Sequence, residues 1–200
     1  MNITSGMVKE LRVKTGAGMM DCKEALAAAG GDFEQAIDYL RKKGMSAATK
    51  RSSKAVKDGV IASYIHMGGK IGVLVEANCE TDFVAKTDEF QRFTRDLAMH
   101  IAAANPLFVN PDDIPAEVIE REKEIYRSQA LEENKPEKIW DRIIEGKLTK
   151  YYEDVCLVRQ KFIKDTDVTI DTLLNNLRAK TGENIVIRRF ARYQLGEESK

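Results

Sequence analysis

Apolar residues in the first part of the chain recur every three to four positions, the spacing of one face of a helix. Met7, Val8 and Leu11 define a first helix, expected to stop near Gly16 or Gly18. A second is expected from Asp21, where Asp21 and Glu24 have capping-box spacing. Ala25, Leu26 and Ala29 would point inward before a Gly30-Gly31 stop. A third repeats the device with Asp32 and Gln35 and should bury Phe33, Ala36, Ile37 and Leu40. Residues 1–43 therefore read as a small three-helix bundle. Residues 44–58, rich in Ala, Ser, Lys and Arg, read as a linker, in part helical.

From residue 59 the period changes to two. Val60-Ile61-Ala62-Ser63-Tyr64-Ile65-His66, a Met67-Gly68-Gly69 turn and Ile71-Gly72-Val73-Leu74-Val75 predict a β-hairpin. Thr87 should cap a helix to Ala104, with Phe90, Phe93, Leu97, Ala98 and Ile101 on one stripe. Helices follow from Pro115 to about Leu131, from Pro136 to a stop at Gly146, and again from Lys147. They suggest a helical hairpin over about 115–150. A helix over Ile170–Ala179 and a strand over Asn184–Gln194 close the pattern, the strand joining the hairpin in an antiparallel sheet. The fold class is α+β: a helical bundle over 1–43, a linker over 44–58, and a core domain over 59–200 in which a small antiparallel sheet packs with helices.

Composition narrows the class of partner. Basic and acidic residues number 32 each, so the formal net charge is zero and no global field favours nucleic acid or an anionic membrane. A hydrophobic share of 43% supports a true core, and no apolar run approaches membrane-spanning length. No basic segment followed by an apolar one opens the chain, so a secretory signal is not expected. Cys22, Cys79 and Cys156 are scattered without metal-ligand spacing, which fits the reducing cytoplasm.

Catalytic chemistry finds little support. His66 and His100 are the two histidines. Cys79 with His66 would be a nucleophile and base with no third group to orient them. Glu80, Asp82, Asp88 and Glu89 cluster without the scaffold of a calcium loop, and no phosphate-binding glycine loop occurs. Neither a cofactor nor a metal nor an enzyme activity is expected.

One stretch resists a routine account. After the second strand, Asn78-Cys79-Glu80-Thr81-Asp82-Phe83-Val84-Ala85 stops the pairing and sets two large apolar side chains in a turn. Phe83 and Val84 either plug the end of the core, the commoner fate of such residues, or form an exposed anchor beside a charge.

These residues carry a resemblance. Leu11-Arg12-Val13-Lys14-Thr15-Gly16-Ala17-Gly18-Met19-Met20-Asp21-Cys22-Lys23-Glu24-Ala25-Leu26 and Glu76-Ala77-Asn78-Cys79-Glu80-Thr81-Asp82-Phe83-Val84-Ala85 resemble the two signature motifs of bacterial elongation factor Ts. That family exchanges nucleotide on elongation factor Tu. The resemblance implies that the bundle is similar to a ubiquitin-associated domain and docks on the nucleotide-binding domain of Tu through Arg12, Met19, Met20 and Lys23. One of the two methionines would otherwise pack inside the bundle. It also implies that Thr81, Asp82, Phe83 and Val84 enter near the partner's magnesium site. Phe83 would act as the wedge, Asp82 as its polar companion, and Thr81 and Val84 would shape the turn. His66, at the hairpin end, is similar to a segment that touches the far domain of Tu. Longer family members carry two core modules and this chain has room for one, so a homodimer is expected. The competing reading is a ubiquitin-associated-like interaction module without exchange activity.

Overall fold

The computed structural model describes residues 3–15, 17–51 and 54–197, with the side chains of 45–51 excepted. Gly16, read as a helix stop, and Ser52 and Ser53 of the linker lie outside the described residues. The chain divides into two compact units. One comprises residues 1–60, 77–93 and 172–186, the other 61–76, 94–171 and 187–200.

Helices α1 (Ser5–Thr15), α2 (Met19–Ala28) and α3 (Phe33–Arg51) open the first unit. Val8, Leu11, Cys22, Ala25, Leu26 and Ala36 form their common core, with Met7, Phe33 and Leu40 packed partly against it. The Gly30-Gly31 stop is realised: both residues have positive φ, and Gly31 donates its N–H to the Leu26 carbonyl at 2.8 Å. Asp32 caps α3 by accepting from the Gln35 N–H at 2.8 Å.

Three expectations for this unit are corrected. Helix α2 begins two residues before Asp21, with Gly18 as its cap and no side-chain cap bond. Asp21 and Glu24 instead accept from the Lys43 ammonium at 2.9 and 2.7 Å, and Glu24 also accepts from the Tyr39 hydroxyl at 2.8 Å. A long cation from α3 therefore outcompetes the local capping box, and its bond holds the Glu24 carboxyl below its usual range. Ile37 is exposed rather than buried. The linker, read as in part helical, is helical over 44–51, where α3 continues through Gly44 to Arg51. Gly44 sits at a helix crossing: a Cβ on it would lie 2.8 Å from the Cβ of Ala179 in α8 (Ile170–Thr181). The glycine costs helix propensity of roughly 1 kcal/mol and permits the close approach.

The sheet has strand order β1-β2-β5, with β1 Asp58–Ile65, β2 Ile71–Cys79 and β5 Ile185–Gln194. The hairpin closes through His66 N–H to the Ile71 carbonyl at 2.9 Å, with Gly68 and Gly69 at positive φ. On the other edge of β2, Leu195 N–H reaches the Lys70 carbonyl at 2.8 Å and Arg189 pairs with Glu76 at 2.8 Å. Thr87 caps α5 (Asp88–Ala104) by accepting from the Phe90 N–H. Phe90, Leu97, Ala98 and Ile101 are buried as the stripe predicts, and Phe93 is half-buried.

In the second unit, α6 (Ala116–Glu132) and α7 (Trp140–Val155) form the helical hairpin, joined by Lys147 Nζ to Gln129 Oε1 at 2.6 Å. Gly146 does not stop a helix. It sits in the middle of α7 with open space around it, so two expected helices are one. A two-stranded ribbon, β3 (Lys161–Phe162) with β4 (Asp165–Thr169), is absent from the sequence reading, because its few residues are mostly polar. Buried His100 ties this region together. Its Nδ1 accepts from the Ile163 N–H, so its Nε2–H donates to Gln160 Oε1 at 3.0 Å. Burial depresses its pKa and keeps the ring neutral.

Candidate functional site

The turn after β2 is a four-residue helix, α4 (Asp82–Ala85). Thr81, extended at φ −132° and ψ 154°, is its cap, and its side-chain oxygen accepts from the Val84 N–H at 3.4 Å. Behind it stands Glu183. That carboxylate accepts from the Glu80 N–H and the Thr81 N–H, each at 3.1 Å, and from the Thr81 hydroxyl at 2.6 Å. The Cys79 thiol donates to the Thr81 carbonyl at 3.1 Å. Downstream, Gln91 Nε2 donates to the Ala85 carbonyl at 2.8 Å, and the Thr87 hydroxyl to the Val84 carbonyl at 2.8 Å. The backbone of residues 80–85 is thus bonded from both ends.

Phe83 stands on this base and is 79% exposed. Of the two readings left open for it, the core plug does not hold: Ala85, which is buried, fills that place, and Val84 is half-buried. A ring left in water at the tip of a well-bonded turn gains nothing for folding. Asp82, beside it, is bridged to Lys86 at 2.6 Å, one helical turn away. The Lys86 ammonium holds its carboxyl below the ordinary value.

The docking residues suggested for the bundle cluster at the start of α2 and the end of α1. Arg12 and Lys23 are exposed, Met19 is 42% exposed and Met20 75%, so neither methionine packs inside the bundle. Val13, which sequence reasoning passed over as a motif residue without a role, is exposed among them. In the second unit, His66 is exposed at the hairpin end, its Nδ1 3.1 Å from the Tyr64 hydroxyl.

A thiol nucleophile is not supported. Cys79 is fully buried, and burial together with the nearby Glu183 charge pushes its thiol up to about 11. Among the described residues no group of three or more His, Cys, Asp and Glu is placed to hold a metal ion, and no helix is long and apolar enough to cross a membrane.

Glu183 is the residue that sequence reading missed. Nothing local singles it out, though it follows an echoed segment. Leu11-Arg12-Val13-Lys14-Thr15-Gly16 and Leu177-Arg178-Ala179-Lys180-Thr181-Gly182 share a pattern. In both, the threonine hydroxyl donates to the leucine carbonyl four residues back, at 2.7 and 2.9 Å, and accepts from the amide two residues on. Each copy is a helix stop, and the second one delivers Glu183 directly after its glycine.

Comparison with known proteins agrees with this geometry. The family model described as Elongation factor TS matches residues 21–197. A protein named Elongation factor Ts from Syntrophus aciditrophicus is 78% identical over 200 residues, covering all of both chains. Proteins of the same name from Geotalea uraniireducens and Desulfosudis oleivorans are 58% and 56% identical, over 98% of this chain and 91% and 98% of theirs. The motifs at residues 11–26 and 76–85, the α+β fold and these matches across the whole length lead to one conclusion: the chain belongs to the elongation factor Ts family of translation elongation factors.

Proposed function

We propose that the chain binds elongation factor Tu in its GDP-bound form and speeds GDP release in the cytoplasm, so that GTP can reload. The observation that carries this reading is Phe83, exposed on a turn whose backbone is fixed by bonds on both sides. Magnesium bridges nucleotide phosphates and protein oxygens in a near-ideal octahedron that tolerates little displacement. A rigid ring pushed among the elements that build that octahedron weakens the nucleotide without touching its base. Asp82 gives the wedge a charged flank, and Thr81 and Val84 set its angle. Arg12, Met19, Met20 and Lys23 hold the partner's nucleotide-binding domain, and His66 reaches a farther one. No bond is made or broken by this chain. The coupling is reciprocal: the factor by which it lowers nucleotide affinity is the factor by which nucleotide lowers its own.

Stopped-flow release of fluorescent GDP from a bacterial Tu, with excess unlabelled GDP, tests the proposal. Release should accelerate with the concentration of the chain, and Phe83→Ala should lose at least about tenfold of that acceleration, or 1.4 kcal/mol. Binding without acceleration would leave a docking module of the ubiquitin-associated type instead.

A second copy of the chain is the further partner, and the sheet favours it. Alternation from the His66–Ile71 and Leu195–Lys70 bonds sets Ile61, Ser63 and Ile65 of β1 on one face with Gly72, Leu74 and Glu76 of β2 and Arg189, Ala191 and Tyr193 of β5, the Glu76–Arg189 ion pair at its margin. Val73 and Val75 turn to the other face and are buried, whereas Ile61, Ile65, Leu74 and Tyr193 are exposed. Large side chains there alternate with Ser63, Gly72 and Ala191, which gives ridges and hollows suited to an identical sheet packed face to face. Sedimentation should give a dimer that Leu74→Glu splits. A wild-type monomer at tens of micromolar would end this part of the proposal.

A further inference from the structure

We infer that Glu183 is the positioning residue of the exchange site, holding the Thr81–Val84 turn in the shape that aims Phe83; the inference rests on the function proposed above. Glu183 lies a hundred residues beyond the turn in sequence, and its carboxylate has no local task. It takes three donors from two consecutive residues of the turn: the Glu80 N–H, the Thr81 N–H and the Thr81 hydroxyl, at 3.1, 3.1 and 2.6 Å. Bonds to a charged acceptor are the strong kind, and three on one carboxylate leave its orientation no freedom.

The third bond orders the next step. A threonine hydroxyl has one proton. Because Glu183 takes it, the oxygen presents its lone pairs to the Val84 N–H and acts as the cap of α4. The relay runs from the Glu183 carboxylate through the Thr81 hydroxyl to the amide just beyond Phe83.

The clamp is reciprocal. Glu80 returns the contact by accepting from the Asn184 N–H at 2.7 Å, and its other oxygen pairs with Lys54 Nζ at 3.1 Å. Asn184 Nδ2 then donates to the Lys54 carbonyl at 2.9 Å. Segments at 54, 80–81 and 183–184 are thereby bonded pairwise to one another. Each turn glutamate grips the backbone of the other segment, so neither can shift alone. Such a base removes the ordering cost that a flexible turn would meet when it enters a partner.

Amide hydrogen exchange on the isolated chain reads the clamp without any partner. In Glu183→Ala the amides of Glu80, Thr81 and Val84 should exchange at least about tenfold faster, while those of Cys22 and Leu26 in α2 keep their rates. Glu183→Gln, nearly isosteric, guards against a general loss of fold. Its amide group keeps one acceptor oxygen and turns a donor toward the site, so at least one of the three contacts is lost and the same amides should loosen in part.

The effect on nucleotide release then separates positioning from packing. The maximal acceleration by Glu183→Gln should fall at least about threefold, with the half-saturating concentration unchanged within about twofold. In the Phe83→Ala background, Glu183→Gln should add nothing further, because a pedestal without its ring has nothing to aim. Unchanged amides at 80, 81 and 84 would overturn the clamp. Losses that add to those of Phe83→Ala would overturn the link to the ring. If the wild-type chain fails to accelerate release, the functional reading falls and the positioning role with it, whereas the amide result still reports the clamp by itself.

Discussion

Two helix N-termini in the first unit carry apolar side chains into solvent, and they are built in opposite ways. At α2 the cap is Gly18, which offers no side chain, and Met19 and Met20 follow directly. At α4 the cap is Thr81, bonded in front to Val84 and behind to Glu183, and Phe83 follows. Methionine is unbranched, with three rotatable bonds and a polarizable sulfur, and adapts to the surface it meets. Phenylalanine turns about two bonds, and here it sits on a fixed backbone. The first arrangement suits holding a partner whatever its exact shape. The second suits imposing a shape on it.

The largest expected effect tests whether exposure is the true difference between Phe83 and its neighbours. Phe90, seven residues on, is fully buried. Phe90→Ala should cost about 3–5 kcal/mol in denaturant unfolding. Phe83→Ala should change stability by less than about 0.5 kcal/mol. A loss of about 2 kcal/mol or more at Phe83 would mean that the ring packs in solution, and the contrast with α2 would collapse.

The caps come next. Thr81→Ala removes both the acceptor for Val84 and a donor to Glu183, and should destabilise by about 1–2 kcal/mol. Gly18→Ser supplies at α2 the cap it lacks, but a Cβ there would lie 2.9 Å from Asp21 Oδ2, which must swing aside. Its net change should stay within about 0.5 kcal/mol. Thermal melts of the two variants check both. Equal and large effects at the two caps would show that α2 is held as firmly as α4.

How far these two sites could be read from sequence also differs. The stripe of α5, the hairpin glycines, the closing strand and the Asp32 cap follow from local rules, and local rules were enough. The start of α2 was misplaced because Lys43, some twenty residues away, claims both acids of the supposed capping box. Gly44 and Gly146 look alike in sequence, yet both lie inside helices, one at a crossing with Ala179 and one facing open space. Neither outcome is encoded nearby. At the turn, the motif marks the candidate site, but whether Phe83 is buried or exposed depends on what Ala85 and Glu183 do. The second of these lies a hundred residues away, and pattern reading has no access to such pairs.

A smaller effect concerns the side chains themselves. If Met20 contributes adaptable contact, Met20→Leu should keep affinity for Tu within about twofold, since volume and polarity are conserved. Met20→Ala should weaken it by about three- to tenfold, up to roughly 1.4 kcal/mol. Phe83→Leu, the parallel change at the turn, should keep affinity yet lose much of the acceleration. Titration calorimetry and stopped flow on the same three variants separate holding from imposing. Identical behaviour at the two positions would erase the distinction.

The smallest effect lies in the charge beside the ring. Lys86 and Asp82 pair at 2.6 Å with both side chains at least half exposed, so salt and water screen the contact. The pair lowers the Asp82 pKa from its ordinary 3.8. The sign follows: its stabilisation is present above pH 3.8 and disappears as the pH falls through the lower, folded-state value. Lys86→Ala should leave the melt at neutral pH unmoved and raise the Asp82 titration toward 3.8, read by carboxyl NMR. Should Asp82 stay low without Lys86, the amides of the first turn of α4 would be what holds it, Phe83 N–H among them. The charge would then belong to the fixed backbone that carries the ring, not to a mobile lysine, and the α4 turn would differ from the α2 start in its electrostatics as well as in its bonding.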